Sequence, residues 1–396
     1  VALSSHRTSG ETARGLLLTV AASLLIILSS LNGAFAASAL AQETIWQAPQ
    51  PPSVTAEAVY SVDITRGLEL YSKNADERLP MGSTAKIATA LAVVEYLDPD
   101  TEITIAEGDP VSDPTMYSNM GLQPGMVFTV EELLYGLLIP SGNDAATALA
   151  RVIGTELTGG TGDPIAAFMD ALNQLVVSLG ATNSHFSTPH GLEGDGPHYT
   201  TARDLAILTT RLLQNPLLAE IVGTSQVTLT SRGEDATELS LATTNKLLGV
   251  DDSVIGVKTG STEPAGGCLV IATKQGENTV VTVILGSDLE YGGETGYLVD
   301  ARWDDVDAVL RGINQNYRWV DLGDSGLLDG LNAELAAWEV ELNSTGSIVV
   351  PVSQGDLRYR LELGPPGEPE AEVGHVLFFA GSTVVAELPV YQRSST

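Results

Sequence analysis

Cysteine is almost absent from this chain, and positive charge is scarce. The single Cys268 excludes an internal disulfide, and its apolar neighbours mark it as a small core residue. Only 19 Lys and Arg stand against 50 Asp and Glu, a formal net charge of −31. A surface of that sign repels nucleic acid and other polyanions, so no nucleic-acid partner is expected; the excess acid reads as solubility. Histidine is also rare, with five residues and none in a Ser-His-Asp setting. His185, His190 and His198 share one loop-rich stretch, but their spacing fits no standard zinc pattern, so no metal is expected. No internal repeat is visible. What is present is 396 residues, 43% of them apolar, enough for one large domain with its own core and a smaller one.

The N-terminus reads as an export signal. Arg7 and Arg14 precede a charge-free stretch over 16–41, most apolar over 16–28. Small-x-small sites follow at Ala34-Phe35-Ala36 and Ala39-Leu40-Ala41. A cleaved signal over 1–41 is expected; the alternative is an uncleaved anchor, since a run of this length can span a hydrocarbon core of ~30 Å. In both cases the body lies outside the cytoplasmic membrane. Residues 42–55, with Pro49, Pro51 and Pro52, read as a linker.

Alternation over 56–70, broken at Arg66-Gly67, predicts a hairpin. Ile87, Leu91, Val94 and Leu97 share one face of a helix expected over 84–97. Thr129-x-x-Glu132 is a capping-box pattern, Asp163-Pro164 opens a helix that Gly180 stops, and a further helix over 201–213 ends at Asn215-Pro216. Past Ser225 the period turns strand-like. Two β-branched runs, 268–273 and 279–286, meet at Gln275-Gly276-Glu277, and a helical pattern returns over 301–317. After a break at 323–330, residues 331–396 read as a small β-rich domain. Segregated strands and helices point to α+β with an antiparallel sheet in the main domain, 56–322.

Three short strings carry the chemistry: Ser83-Thr84-Ala85-Lys86, Ser141-Gly142-Asn143 and Lys258-Thr259-Gly260. Ser83 stands before a helix, where the dipole favours developing negative charge, and Lys86 is its neighbour one turn on. A serine hydroxyl needs a base, and a lysine serves only if burial or a second cation, here Lys258, destabilises its ammonium. The plain alternative is a helix cap beside a solvated lysine. Ser141 and Asn143, between two apolar helices, can relay a proton and hold a carbonyl; the plain alternative is a turn. Lys258 and Thr259 can grip a carboxylate, and Gly260 lets a peptide approach as an added strand; the plain alternative is a strand end with a glycine bulge. Together the three complete an acyl-transfer site.

These strings resemble those of the low-molecular-mass penicillin-binding D-alanyl-D-alanine carboxypeptidases, serine peptidases of the Ser-x-x-Lys type. The likeness extends to Leu122-Gln123-Pro124-Gly125, Pro189-His190-Gly191-Leu192, the stretch from His198 to Leu205, and Gly256 to Thr262, and covers 56–322. It implies a β-lactamase/DD-peptidase-like α/β domain with a central antiparallel five-stranded sheet flanked by helices. It implies removal of the last D-alanine from peptidoglycan stem pentapeptides without a cofactor, and acylation of Ser83 by β-lactams. By the resemblance, Ser83 forms the acyl-enzyme, Lys86 is the base, Ser141 the relay and Asn143 a positioning group. Lys258, Thr259 and Gly260 line the opposite wall, the backbone N–H groups of Ser83 and Ser261 form the oxyanion hole, and Arg302 helps hold the terminal carboxylate. The segment 288–300 is longer than usual for the family. Arg203 and Asp204 read as structural pairing.

Many relatives carry an amphipathic anchoring helix after a β domain, a pattern that Leu388-Pro389-Val390-Tyr391-Gln392 does not show; membrane attachment would then come from 16–41. Two other readings share the strings. A class A β-lactamase usually has Asp in place of Gly142 and a deacylating glutamate, for which Glu193 and Glu220 are the candidates in the right interval. A non-catalytic cell-wall-binding protein could keep the fold. Carboxypeptidase and DD-endopeptidase action are not separated by the sequence.

Overall fold

The computed structural model describes residues 51–111, 113–232, 236–292, 296–321, 329–342, 347–352 and 357–394. The leader or anchor expected over 1–41, and the expected linker up to residue 50, lie outside the described residues.

Strands β1 (Ala58–Asp63) and β2 (Leu68–Lys73) form the hairpin expected around Arg66-Gly67. A single 3-10 turn, Gly82–Ala85, leads into helix α1 (Lys86–Tyr96). The ribbon β3 (Glu102–Thr104) and β4 (Val127–Thr129) precedes the helical middle. That middle comprises α2 (Val130–Leu138), α3 (Asn143–Leu157), α4 (Pro164–Ser178), α5 (Ala202–Gln214) and α6 (Pro216–Val222). A second ribbon, β5 (Gln226–Thr230) and β6 (Glu238–Ala242), leads to β7 (Val254–Thr262), β8 (Gly266–Gln275) and β9 (Asn278–Ser287). The hairpin β10 (Leu289–Tyr291) and β11 (Tyr297–Asp300) precedes α7 (Arg302–Asn316) and β12 (Tyr317–Asp321). Then come α8 (Asp329–Ala337), β13 (Val340–Leu342), β14 (Ser347–Pro351), β15 (Leu357–Leu363), β16 (Glu372–Ala380) and β17 (Thr383–Gln392).

The central sheet has the order β2-β1-β9-β8-β7 and is antiparallel throughout. Period-2 alternation gives each strand two working faces. On β8, Cys268, Val270 and Ala272 enter the larger core with the helical middle, while Leu269 and Ile271 enter a second core with Val306, Val309 and Ile313 of α7. A third core joins Leu331 and Leu335 of α8 to β14, β16 and β17. Strand β7 ends the sheet, so one of its long sides is unpaired within it.

Local chemistry explains the boundaries. Thr129 Oγ1 accepts from Glu132 N at 3.2 Å while Glu132 Oε2 accepts from Thr129 N at 2.7 Å, a closed capping box. Asp163 caps α4 ahead of Pro164. Asn215-Pro216 ends α5 but also starts α6, because Asn215 Oδ1 accepts from Leu218 N at 3.1 Å. Helix α1 departs from a one-faced pattern. Ile87 and Leu91 are buried as expected, but so are Ala88, Ala90, Ala92 and Val93 on its other sides. The helix is buried on every side from Lys86 to Val93, and only its last turn, with Val94 half-buried and Glu95 and Tyr96 exposed, reaches the surface; Lys86 is carried in with it.

Arg203 and Asp204 anchor different segments. Arg203 pairs with Asp76 and Glu69, whereas Asp204 accepts from Asn183 N and Ser184 Oγ at 2.7 Å each.

Candidate active site

Ser83 lies inside the 3-10 turn, and its side chain caps no helix. Lys86 Nζ donates to Ser83 Oγ at 2.9 Å, to Asn143 Oδ1 at 2.7 Å and to the His190 carbonyl at 2.7 Å. Lys86 is 0% exposed. Burial first, then Lys258, holds its ammonium well below the usual lysine range, with Asp144 opposing. Burial and the neighbouring cation thus both favour the neutral amine over the ammonium. A neutral amine has two N–H groups, which the Asn143 and His190 carbonyl oxygens take, leaving its lone pair for the Ser83 hydroxyl.

The second string turns sharply between α2 and α3. Ser141 adopts φ +66°, a conformation uncommon outside glycine, and its Oγ is buried with no hydrogen-bond partner among the described residues. A β-carbon on Gly142 would fall 2.7 Å from the Gly136 carbonyl and 2.8 Å from Asp144 Oδ1. Asp144 gathers the facing loop, its carboxylate accepting from the amides of Met120, Gly121 and Leu122 at 3.0–3.1 Å. Asn143 N donates to the Ser118 carbonyl at 2.9 Å.

The third string runs along the free side of β7. Lys258, 1% exposed, is pulled down to about 7 by burial and then by Arg302, and its Nζ donates to the Thr259 carbonyl at 2.9 Å. Thr259 Oγ1 meets Thr244 Oγ1 at 2.6 Å. Arg302, at the start of α7, donates to the carbonyls of Gly260 (2.8 Å) and Cys268 (3.2 Å) and to Ser261 Oγ (2.7 Å). Its guanidinium thus braces the strand from behind while one edge reaches the site.

Ser83, Ser141, Asn143, Thr259, Ser261 and Arg302 line one cleft of about 490 Å³, which Gly260 also lines. Lys86 and Lys258 are buried behind it. Sequence reasoning assigned no role to the His190 carbonyl, Asp144 or Thr244, nor to the walls formed by Lys246 and the aromatic hairpin residues Tyr291 and Tyr297. The length of 288–300 was the only trace of that hairpin. Of the two glutamates weighed as deacylating bases, Glu193 lines the cleft with its carboxylate bonded to Thr262 Oγ1, and Glu220 meets Tyr135 on α2 instead.

Residues 45–289 match the family profile described as D-alanyl-D-alanine carboxypeptidase. The chain is 35% identical over 264 residues to the D-alanyl-D-alanine carboxypeptidase of Streptomyces sp. strain K15, covering 65% of this chain and 89% of that protein. A Bacillus subtilis D-alanyl-D-alanine carboxypeptidase is 34% identical over 64% of this chain, and the match spans 62% of its own length. The crystal structure of the Streptomyces K15 DD-transpeptidase superposes with a TM-score of 0.59 at 32% identity over 67% of this chain and 99% of its own. Penicillin-binding protein 6B of Escherichia coli shares the fold over 86% of this chain and 96% of its own, with a TM-score of 0.63 at 24% identity.

Proposed function

Because the chain belongs to the D-alanyl-D-alanine carboxypeptidase family of serine peptidases, we propose that Ser83 takes the acyl group of a peptidoglycan stem pentapeptide and releases its terminal D-alanine. The observation that carries this is the triple contact of the buried Lys86 amine with Ser83 Oγ, Asn143 Oδ1 and the His190 carbonyl. The neutral amine accepts the hydroxyl proton as Oγ attacks the penultimate carbonyl. The N–H groups of Ser83 and Ser261 face the developing oxyanion, and each such donor is worth about 3 kcal/mol of transition-state stabilisation. The C–N bond breaks as a proton passes from Lys86 through the Ser141 hydroxyl to the leaving amine. Water, deprotonated by the same amine, then cleaves the ester and regenerates Ser83. Lys258, Thr259 and Arg302 supply the attraction for the terminal carboxylate.

The class A β-lactamase reading is disfavoured at Gly142, where an Asp side chain has no room beside the Gly136 carbonyl. The family acts on peptidoglycan, so the work is extracytoplasmic; the leader read over 1–41 fits that place, and N-terminal attachment would keep the enzyme at the outer face of the cytoplasmic membrane. The test is incubation with a pentapeptide ending in D-Ala-D-Ala. Free D-alanine is expected from the wild type and none from Ser83→Ala. Rapid repeated turnover of a chromogenic cephalosporin without D-alanine release would replace this reading with the β-lactamase.

A further inference from the structure

On the carboxypeptidase reading, the cleft also bears on what the enzyme recognises beyond D-Ala-D-Ala. Substrate direction is set by the roles along β7. The terminal carboxylate lies toward Lys258 and Thr259, and the scissile carbonyl lies at Ser83 and Ser261. A peptide added antiparallel to the free side of β7 therefore runs, toward its own N-terminus, past Thr262 and Glu263. Along that path the residue just before the acylated D-alanine comes to that end of the cleft.

Two carboxylates and an aromatic pair wait there. Glu193 and Glu263 line the cleft with Tyr291 and Tyr297, whose rings stand 5.2 Å apart and are half exposed. Thr262 Oγ1 donates to Glu193 Oε1 and fixes that carboxylate at the strand end. The cations of the cleft, Lys246 and Arg302, are each paired with Asp300. Neither Glu193 nor Glu263 has an ion-pair partner among the described residues. The buried, unpartnered Ser141 Oγ lines the catalytic part of the same cleft. Carboxylates beside exposed aromatic faces are the complement of an ammonium group.

We propose that Glu193 and Glu263, with Tyr291, form a subsite for a free primary amine on the side chain of the stem-peptide residue that precedes the acylated D-alanine, an inference that rests on the carboxypeptidase reading. The enzyme would then favour stems whose diamino acid is not yet cross-linked, since acylation of that amine removes its charge.

The experiment compares two pentapeptides that differ only in a free or an Nε-acetylated lysine before D-Ala-D-Ala. Wild-type kcat/KM is expected to fall about three- to tenfold on acetylation, mostly through KM. In the double variant Glu193→Gln, Glu263→Gln the two substrates are expected to become equivalent. Because the ratio is read within one preparation, partial misfolding of the variant does not move it. Equal rates on both peptides with wild type, or discrimination that survives in the double variant, overturns the subsite while leaving the peptidase reading intact. No D-alanine from either peptide overturns both.

Discussion

Gly82 and Gly260 meet backbone to backbone. A β-carbon on Gly82 would fall 2.8 Å from Ser261 N, and one on Gly260 would fall 2.6 Å from the Met81 carbonyl and 3.0 Å from Ser83 N. The two amides assigned to the oxyanion hole are brought to one seam because neither segment carries a side chain there. Gly260→Ala is expected to cost about 1–3 kcal/mol of stability. It should also slow penicillin acylation by at least about a hundredfold, since it moves a donor off the developing charge. Thermal melting and stopped-flow acylation check the two halves.

Lys86→Arg tests the base. A guanidinium stays charged and cannot accept the Ser83 proton. Acylation by a fluorescent penicillin is expected to fall about 10²–10⁴-fold, the usual contribution of a positioned base. Labelling at the wild-type rate would remove Lys86 from the mechanism.

Ser141 separates activity from stability. Its hydroxyl is buried without a partner among the described residues, and its φ is +66°. Ser141→Gly relieves both, so stability should rise by about 1 kcal/mol while D-alanine release collapses. Denaturant titration and a D-alanine assay on the same variant read both quantities.

Lys258 links pH to stability. Its amine titrates near 7 in the folded state against an ordinary 10.5. Between those values the unfolded chain binds more protons, so this group lowers stability as pH falls from 10.5 toward 7 and adds no further slope below. Lys258→Met should flatten the stability–pH curve in that window by up to about 1.4 kcal/mol per pH unit. It should also weaken binding of carboxylate-terminated peptides. In the wild type, kcat/KM should decline as pH rises past Lys258's titration, because the neutral amine no longer attracts the terminal carboxylate.

Much of the fold was legible because local signals agreed with the global pattern. The Thr129/Glu132 box, the Asp163-Pro164 start and the two β-branched runs around Gly276 all point the same way as the antiparallel sheet. The site strings were legible because side-chain types at fixed spacing are visible in a sequence. Their surroundings were not. The His190 carbonyl is a main-chain atom and leaves no residue-type signature. The burial of Lys86 depended on the alanines of α1, whose small side chains read as neutral rather than as an interior face. Helix α6 is hidden in the sequence because Asn215-Pro216, which stops α5, also caps the next helix.

The β10–β11 hairpin stands over the cleft, yet none of its described residues is buried. Loosening the seam at Gly82 and Gly260 would move the proposed nucleophile together with the two amides beside it. Exchange of the exposed Tyr291 and Tyr297 leaves that seam alone, whereas Asp300 at the hairpin's end holds Arg302 and through it β7. The outer rim is thus where substitutions can change which acyl groups fit while the seam beneath keeps its geometry.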